Sequence, residues 1–166
     1  MEGGCLCGRI RYRIQPPIHF SSQCCCRDCQ KATGTGHTTI LGIRRSQLEV
    51  MGEPKTFTST GESGGSVTRH FCGECGGRLY TSGQLPGDFV MVQAGSLDDP
   101  NPIQPENVIY VKDAVRWDRF DAALPAFERL PPREFLPDGS PPAQVELPAG
   151  VAAFRATGTA APTAKD

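Results

Sequence analysis

"GRIRYRIQ", residues 8–15, alternates without a break: Ile10, Tyr12 and Ile14 fall on one side, Arg9, Arg11 and Arg13 on the other. Successive side chains of an extended chain point to opposite faces, so the pattern predicts a half-buried strand with one face toward a core. Further strand-like runs follow at "HTTILGI" (37–43), "LEVM" (48–51), "KTFTS" (55–59), "SVTRHF" (66–71), "RLYT" (78–81), "FVMVQAG" (89–95) and "NVIYV" (107–111). Most are separated by Gly, Pro, Asp or Ser, the punctuation of turns. The expectation is an all-β fold of antiparallel sheets. Helical signals are short: "RDCQKAT" (27–33) suffices for about two turns. "DRFDAAL" (118–124) reads as a second short helix, ending before Pro125, whose ring disfavours helical geometry in the residue before it. Trp117, Phe120 and Phe127 stand at near-helical spacing and read as core contacts.

A chain of 166 residues predicts one domain, with a core large enough not to need disulfide staples. From about Leu130 the composition turns to Pro, Ala, Gly and Thr, with too few apolar side chains to repay ordering of the chain. The division expected is a domain over 1–131 and a flexible Pro/Ala-rich tail over 132–166. The eight cysteines make up about 5% of the residues, below the 8–10% of disulfide scaffolds. "MEGGCLCGRIRYRI" has neither an apolar signal core nor a small-residue cleavage site. A reducing cytoplasm is the expected setting. No apolar run approaches the roughly 18 residues of a membrane span. A net charge of −1 and a pI near 6.3 give no general attraction to phosphate backbones. Neither membrane nor nucleic acid is an expected partner.

The cysteines form three groups: Cys5 and Cys7 in "GGCLCG", Cys24, Cys25, Cys26 and Cys29 in "CCCRDC", and Cys72 and Cys75 in "FCGECGGRL". Two-residue spacing with flanking glycines brings two sulfurs onto one metal ion and leaves backbone N–H groups aimed at sulfur, the pattern of a zinc knuckle. Four thiolates close a structural site, so two knuckles are needed. Spacing alone lets Cys72 and Cys75 pair with either Cys5 and Cys7 or Cys26 and Cys29.

"GGCLCGRIRY", "CCCRDCQKATGTG", "RHFCGECGGRL", "AGSLDDP" and "ALPAFERLP" stand in the order of the glutathione-dependent formaldehyde-activating enzyme and centromere protein V family, which the chain resembles over roughly residues 2–131. The resemblance implies a β-tent of antiparallel sheets with short helical turns and two zinc ions per chain. By motif, Cys5, Cys7, Cys72 and Cys75 would hold a structural zinc. Cys24, Cys26 and Cys29 would hold a second at the active site and be its catalytic residues, leaving Cys25 over. Two positions depart from the family pattern: Cys25 stands where histidine is common, and His37 where an aromatic is common. Both flank the implied site without touching its ligand set, and such neighbours shape a pocket more than they shape a metal.

Three protein ligands leave a fourth position for water or substrate, as in catalytic zinc. Three thiolates make a soft, electron-rich metal suited to a substrate thiol, which it would deprotonate for addition to an aldehyde carbon. The expected activity is a carbon–sulfur lyase acting on a glutathione–aldehyde adduct, with a small thiol, glutathione first, as partner. The competing reading is a non-catalytic zinc module for protein interaction or chaperone-like binding, its second site closed by Cys25 or a histidine. Cys25 reads as a packed thiol, because adjacent residues of an extended segment face opposite ways. Arg27, Lys31 and Arg69 are candidates for meeting substrate carboxylates, although charged side chains usually lie on solvated faces. The glycines of "TGTG" read as turn residues, and His19, His37 and His70 as packing or surface residues.

Overall fold

The computed structural model describes residues 1–62, 64–83, 88–131 and 153–154. Strands β1 (Glu2–Gly4), β2 (Arg11–Ile14) and β5 (Leu48–Met51) form an antiparallel sheet in the order β1-β2-β5. Eight more strands form the larger sheet: β3 (Phe20–Cys24), β4 (Thr38–Arg44), β6 (Lys55–Thr60), β7 (Ser66–Phe71), β8 (Arg78–Ser82), β9 (Phe89–Gln93), β10 (Asn107–Ile109) and β12 (Ala126–Phe127). Their order is β12-β10-β3-β4-β9-β8-β7-β6. The α-helix α1 (Arg27–Thr33) follows β3. Two-residue strands β11 (Phe120–Asp121) and β13 (Ala153–Phe154) pair in parallel. Among the described residues no helix is long and apolar enough to cross a membrane.

The opening stretch behaves as its alternation requires. Ile10, Tyr12 and Ile14 are buried. Arg11 pairs with Asp98 and Arg13 with Glu2 on the wet face. The buried side meets Leu41, Ile43, Leu79, Val90 and Val92 of the larger sheet in the main core, each such side chain contributing roughly 1.5–3 kcal/mol of transfer free energy. Tyr12 keeps its hydroxyl satisfied on Ser96 Oγ at 2.7 Å.

The all-β expectation holds with one addition to its antiparallel sheets, and two other expectations need correction. The larger sheet is mixed: β10 runs parallel to both β3 and β12. Chain reaching β10 has crossed the whole sheet since β3, a connection long enough to re-enter in parallel, which a tight hairpin cannot do. The segment 118–124 is not a helix. Asp121 bonds the backbone N–H of Ala123 at 2.9 Å, and Leu124 N–H donates to Asp121 O at 3.1 Å, so a turn follows β11. Seven residues ending at a proline cannot offset helix nucleation when an aspartate offers this local alternative. Of the three aromatics, Phe120 and Phe127 are buried, but Trp117 is 67% exposed. Its neighbours form a loop, so helical spacing does not turn it inward.

The strand β3 carries no clean sequence pattern, because Ser21 and Ser22 are buried as polar residues. Ser21 spends its hydroxyl on Gln104 O at 2.7 Å. The expected tail at 132–166 lies outside the described residues except for β13, which pairs Ala153 with Phe120 and Phe154 with Asp121.

Candidate metal centres

Two loops meet at the main core, and in each the first cysteine's N–H donates to the carbonyl five residues further on. In the first, Cys5 N–H donates to Ile10 O at 3.0 Å, Gly8 N–H to Cys5 O at 3.0 Å, and Ile10 N–H to Cys5 Sγ at 3.3 Å. In the second, Cys72 N–H donates to Gly77 O and Gly76 N–H to Cys72 O, both at 2.9 Å. Gly8 (φ 76°) and Gly76 (φ 71°) hold the left-handed conformation that closes each turn, which other residues adopt only with strain.

The loops bring Cys5, Cys7, Cys72 and Cys75 together, with all four sulfurs within 4.8 Å of one another. Cys7 Sγ is 3.6 Å from Cys5 Sγ and 3.7 Å from Cys72 Sγ. Four thiolates around a metal–sulfur bond of about 2.3 Å form a tetrahedron with edges of about 3.8 Å, so the donor set fits a closed four-thiolate ion. The N–H groups of Cys7 and Gly77 hold the Cys75 thiol down at about 6. Of the two pairings that spacing allowed, the structure adopts Cys72 and Cys75 with Cys5 and Cys7.

The second group is built where β3 ends and α1 begins. Cys24 is the last residue of β3, Cys26 is the N-cap of α1 and accepts Cys29 N–H on its sulfur at 3.4 Å, and Cys29 lies in the first turn. Their three sulfurs also lie within 4.8 Å of one another, and among the described residues no other Cys, His, Asp or Glu joins them. The Cys24 and Cys29 thiols donate to Cys26 and pull it down to about 3. Cys24, donating to Cys26, is held well above the ordinary thiol value. One negative charge shared by three sulfurs is what three close thiols adopt alone; a cation would release the remaining protons.

Cys25 takes the other face. It is fully buried with Val108, Val111, Phe120 and Ala126, its N–H donates to Ile109 O at 2.9 Å, and burial pushes its thiol up to about 12. Gln30 Nε2 donates to Cys25 O at 2.6 Å and to Asp113 O at 2.8 Å, fixing α1 over the sheet. Arg69 reaches Asp28 of α1 at 2.8 Å and Ser59 Oγ at 2.7 Å, so it anchors the helix. Arg27 turns back onto Gln30, and Lys31 is exposed. In "TGTG" the hydroxyls serve the loop itself: Thr33 Oγ1 donates to Cys29 O at 2.8 Å and meets Thr35 Oγ1 at 2.9 Å. None of the histidines enters either group. His37 Nδ1 is 2.5 Å from Asp118 Oδ2, His70 stacks on Tyr80 at 4.0 Å, and His19 meets Gln47 at 3.1 Å.

Two further residues escape a sequence reading. Tyr110, at φ 59° the one left-handed non-glycine among the described residues, is buried with Cys24, Ile109 and Phe127. Arg78 has its Nη1 buried without a hydrogen-bond partner among the described residues, and its charge acts on Cys29 and Cys26. An arginine opening a strand reads as solvated, and only its place directly after the "CGECGG" knuckle hinted otherwise.

The chain is 31% identical over 113 residues to a Halomonas elongata protein provisionally named a glutathione-dependent formaldehyde-activating enzyme, covering 65% of this chain and 72% of that one. A Rhodobacter sphaeroides protein of known crystal structure shares the fold, with a TM-score of 0.50 at 17% identity over 63% of this chain and 92% of its own. The family model for glutathione-dependent formaldehyde-activating enzyme matches residues 1–113, a span that contains all seven clustered cysteines. The chain belongs to the glutathione-dependent formaldehyde-activating enzyme family.

Proposed function

We propose that the protein is a zinc-dependent carbon–sulfur lyase that joins glutathione to formaldehyde, or releases the aldehyde from S-hydroxymethylglutathione. The observation that carries this reading is the contrast between the two cysteine groups: one has the four sulfurs of a closed site, the other stops at three among the described residues. Zinc held by Cys5, Cys7, Cys72 and Cys75 would be structural, and zinc held by Cys24, Cys26 and Cys29 would supply a vacant position where a thiol binds as thiolate at neutral pH. Around that position the chain's own residues do the orienting. Cys26 and Cys29 are set by the first turn of α1, Cys24 by β3, and the Asp28–Arg69 pair keeps the helix on the sheet. Ile40, Ile109 and Phe127 give the site an apolar wall that limits competing water. We assign the zinc-binding domain to residues 1–131 and the Pro/Ala-rich tail to 132–166. All eight cysteines are free thiols, which suits a reducing compartment.

Replacing the native metal by cobalt tests the reading. Glutathione should strengthen the thiolate-to-metal absorption as a fourth sulfur enters, or displace the metal from the three-cysteine site. Cys26→Ser should abolish the response and Cys25→Ser should keep it. A spectrum and metal content indifferent to glutathione and other small thiols would leave a closed structural module as the better account.

A further inference from the structure

We propose that Arg69 is a positioning residue that couples the two cysteine groups, so that a metal held by Cys5, Cys7, Cys72 and Cys75 tightens the hold of Cys24, Cys26 and Cys29 on theirs. The proposal rests on the reading of both groups as metal sites, given above.

Cys72 directly follows β7 and Cys75 lies just before β8, so the knuckle is the turn between these two strands. Its other two sulfurs, of Cys5 and Cys7, come from the loop ahead of β2. Strand β7 has little else to fasten it. Val67 is its one buried residue, and β6, its outer neighbour at the edge of the sheet, has none. The pairing of β7 with β8 also shifts register between His70 and Phe71, immediately before the knuckle. Elements with few buried apolar contacts open most readily, so an ion that closes the turn at one end of β7 restrains the strand.

Arg69 carries that restraint to α1. Its side chain is 12% exposed, with Nη1 donating to Ser59 Oγ of β6 at 2.7 Å and Nη2 to Asp28 Oδ2 at 2.8 Å. Asp28 stands between two of the three clustered cysteines, after the N-cap Cys26 and before Cys29 in the same turn. In the sheet, β8, β9 and β4 separate β7 from β3, the strand that leads into α1, so this contact bridges elements that backbone pairing keeps apart. A planar guanidinium fixed on two acceptors presents one geometry to Asp28. With β7 held, the turn that sets Cys26 and Cys29 has less freedom to lose when it takes a metal, and affinity rises without a new ligand. Such coupling is reciprocal: metal at the three-cysteine site must steady β7 in turn.

Withdrawing metal from fully cobalt-loaded protein with a competing chelator tests this, the visible bands following each site. Wild type should release the three-cysteine metal first. Arg69→Met and Asp28→Asn should each loosen that site by about two- to fivefold, the worth of a partly exposed ion pair, and the double variant should lose no more than either. Release from the four-cysteine site, which then occurs with the other empty, should be unchanged. Cys7→Ser, which weakens the first site through its exposed ligand, should loosen the three-cysteine site as well, and Arg69→Met should add nothing in that background. If Cys7→Ser does not fold, hydrogen exchange carries the comparison: refilling the three-cysteine site should slow the β7 amides in wild type and not in Arg69→Met. Wild-type affinity at the three-cysteine site in Arg69→Met overturns the proposal. So do additive losses with Cys7→Ser, or β7 amides indifferent to refilling. Lost glutathione affinity with metal affinity intact would make Arg69 a carboxylate hook instead. Cobalt bound by only one cysteine group refutes the two-site reading first, and the coupling with it.

Discussion

Cys25→Ser puts a hydroxyl where a fully buried thiol now packs against Val108, Val111, Phe120 and Ala126. The backbone there is tied on both sides, by Cys25 N–H to Ile109 O and by Gln30 Nε2 to Cys25 O, so the variant side chain cannot turn out to water. Burying an unpaired hydroxyl costs about 1–3 kcal/mol on mutational scales. At about 4 °C per kcal/mol for a domain of this size, the midpoint should fall by about 4–12 °C. The assay is thermal unfolding of the metal-loaded protein, with metal content measured on the same sample. Metal content should stay at the wild-type value. Cys25→Ala, which removes the sulfur but adds no polar group, should cost less than Cys25→Ser. Because burial pushes this thiol up to about 12, iodoacetamide at pH 8 should also leave it unmodified until the protein unfolds. Loss of one metal equivalent in Cys25→Ser with an unchanged midpoint would refute the reasoning, since it would make Cys25 a ligand.

Cys75→Ser should lower the thermal midpoint far more than Cys26→Ser, because a closed structural site returns its metal-binding energy to the fold and an open one does so less; equal losses would defeat that division of roles. Burial holds His70 below its ordinary value of 6.5, so the unfolded chain takes up this proton more readily than the folded one. Its share of stability is complete above about pH 6.5 and is lost as the pH falls through that value. Urea midpoints measured from pH 7 to 5 should therefore drop less in His70→Gln than in wild type. Deleting residues 138–166, which removes the two-residue pairing of β13 with β11, should leave the unfolding midpoint and the metal content nearly unchanged, and a large loss of stability would show that the segment contributes to the fold.

Strands with one wet and one dry face could be read in advance. β2, β5 and β7 fall where alternation or β-branched content placed them, and α1 spans the seven residues from Arg27 to Thr33 that the sequence suggested. β3 was illegible because its two adjacent serines are both buried, Ser21 with its hydroxyl on the distant Gln104 carbonyl, so no alternation announces a face. The parallel entry of β10 depends on where a chain returns after crossing the sheet, and no local pattern encodes that. Cysteine spacing reveals that metal ligands exist, but only the knuckle geometry selects which pairs meet. For Arg78 the place after "CGECGG" was the one hint, because a sequence does not show that a nitrogen is buried without a partner among the described residues.

The link between Cys7 and Cys72 has a thermodynamic side beyond its fit to a metal. A metal ion shared there closes a loop of 65 residues, since that separates the two positions. On the chain-entropy account, a permanent cross-link of that length removes about 4 kcal/mol of freedom from the unfolded state. A disulfide would give a similar constraint but would depend on the redox potential around it. Thiolates on a redox-inert ion would tie the N-terminal sheet to the larger one by a staple that a reductant leaves alone and a chelator removes. The fold's persistence would thereby be coupled to metal supply instead of to oxidation.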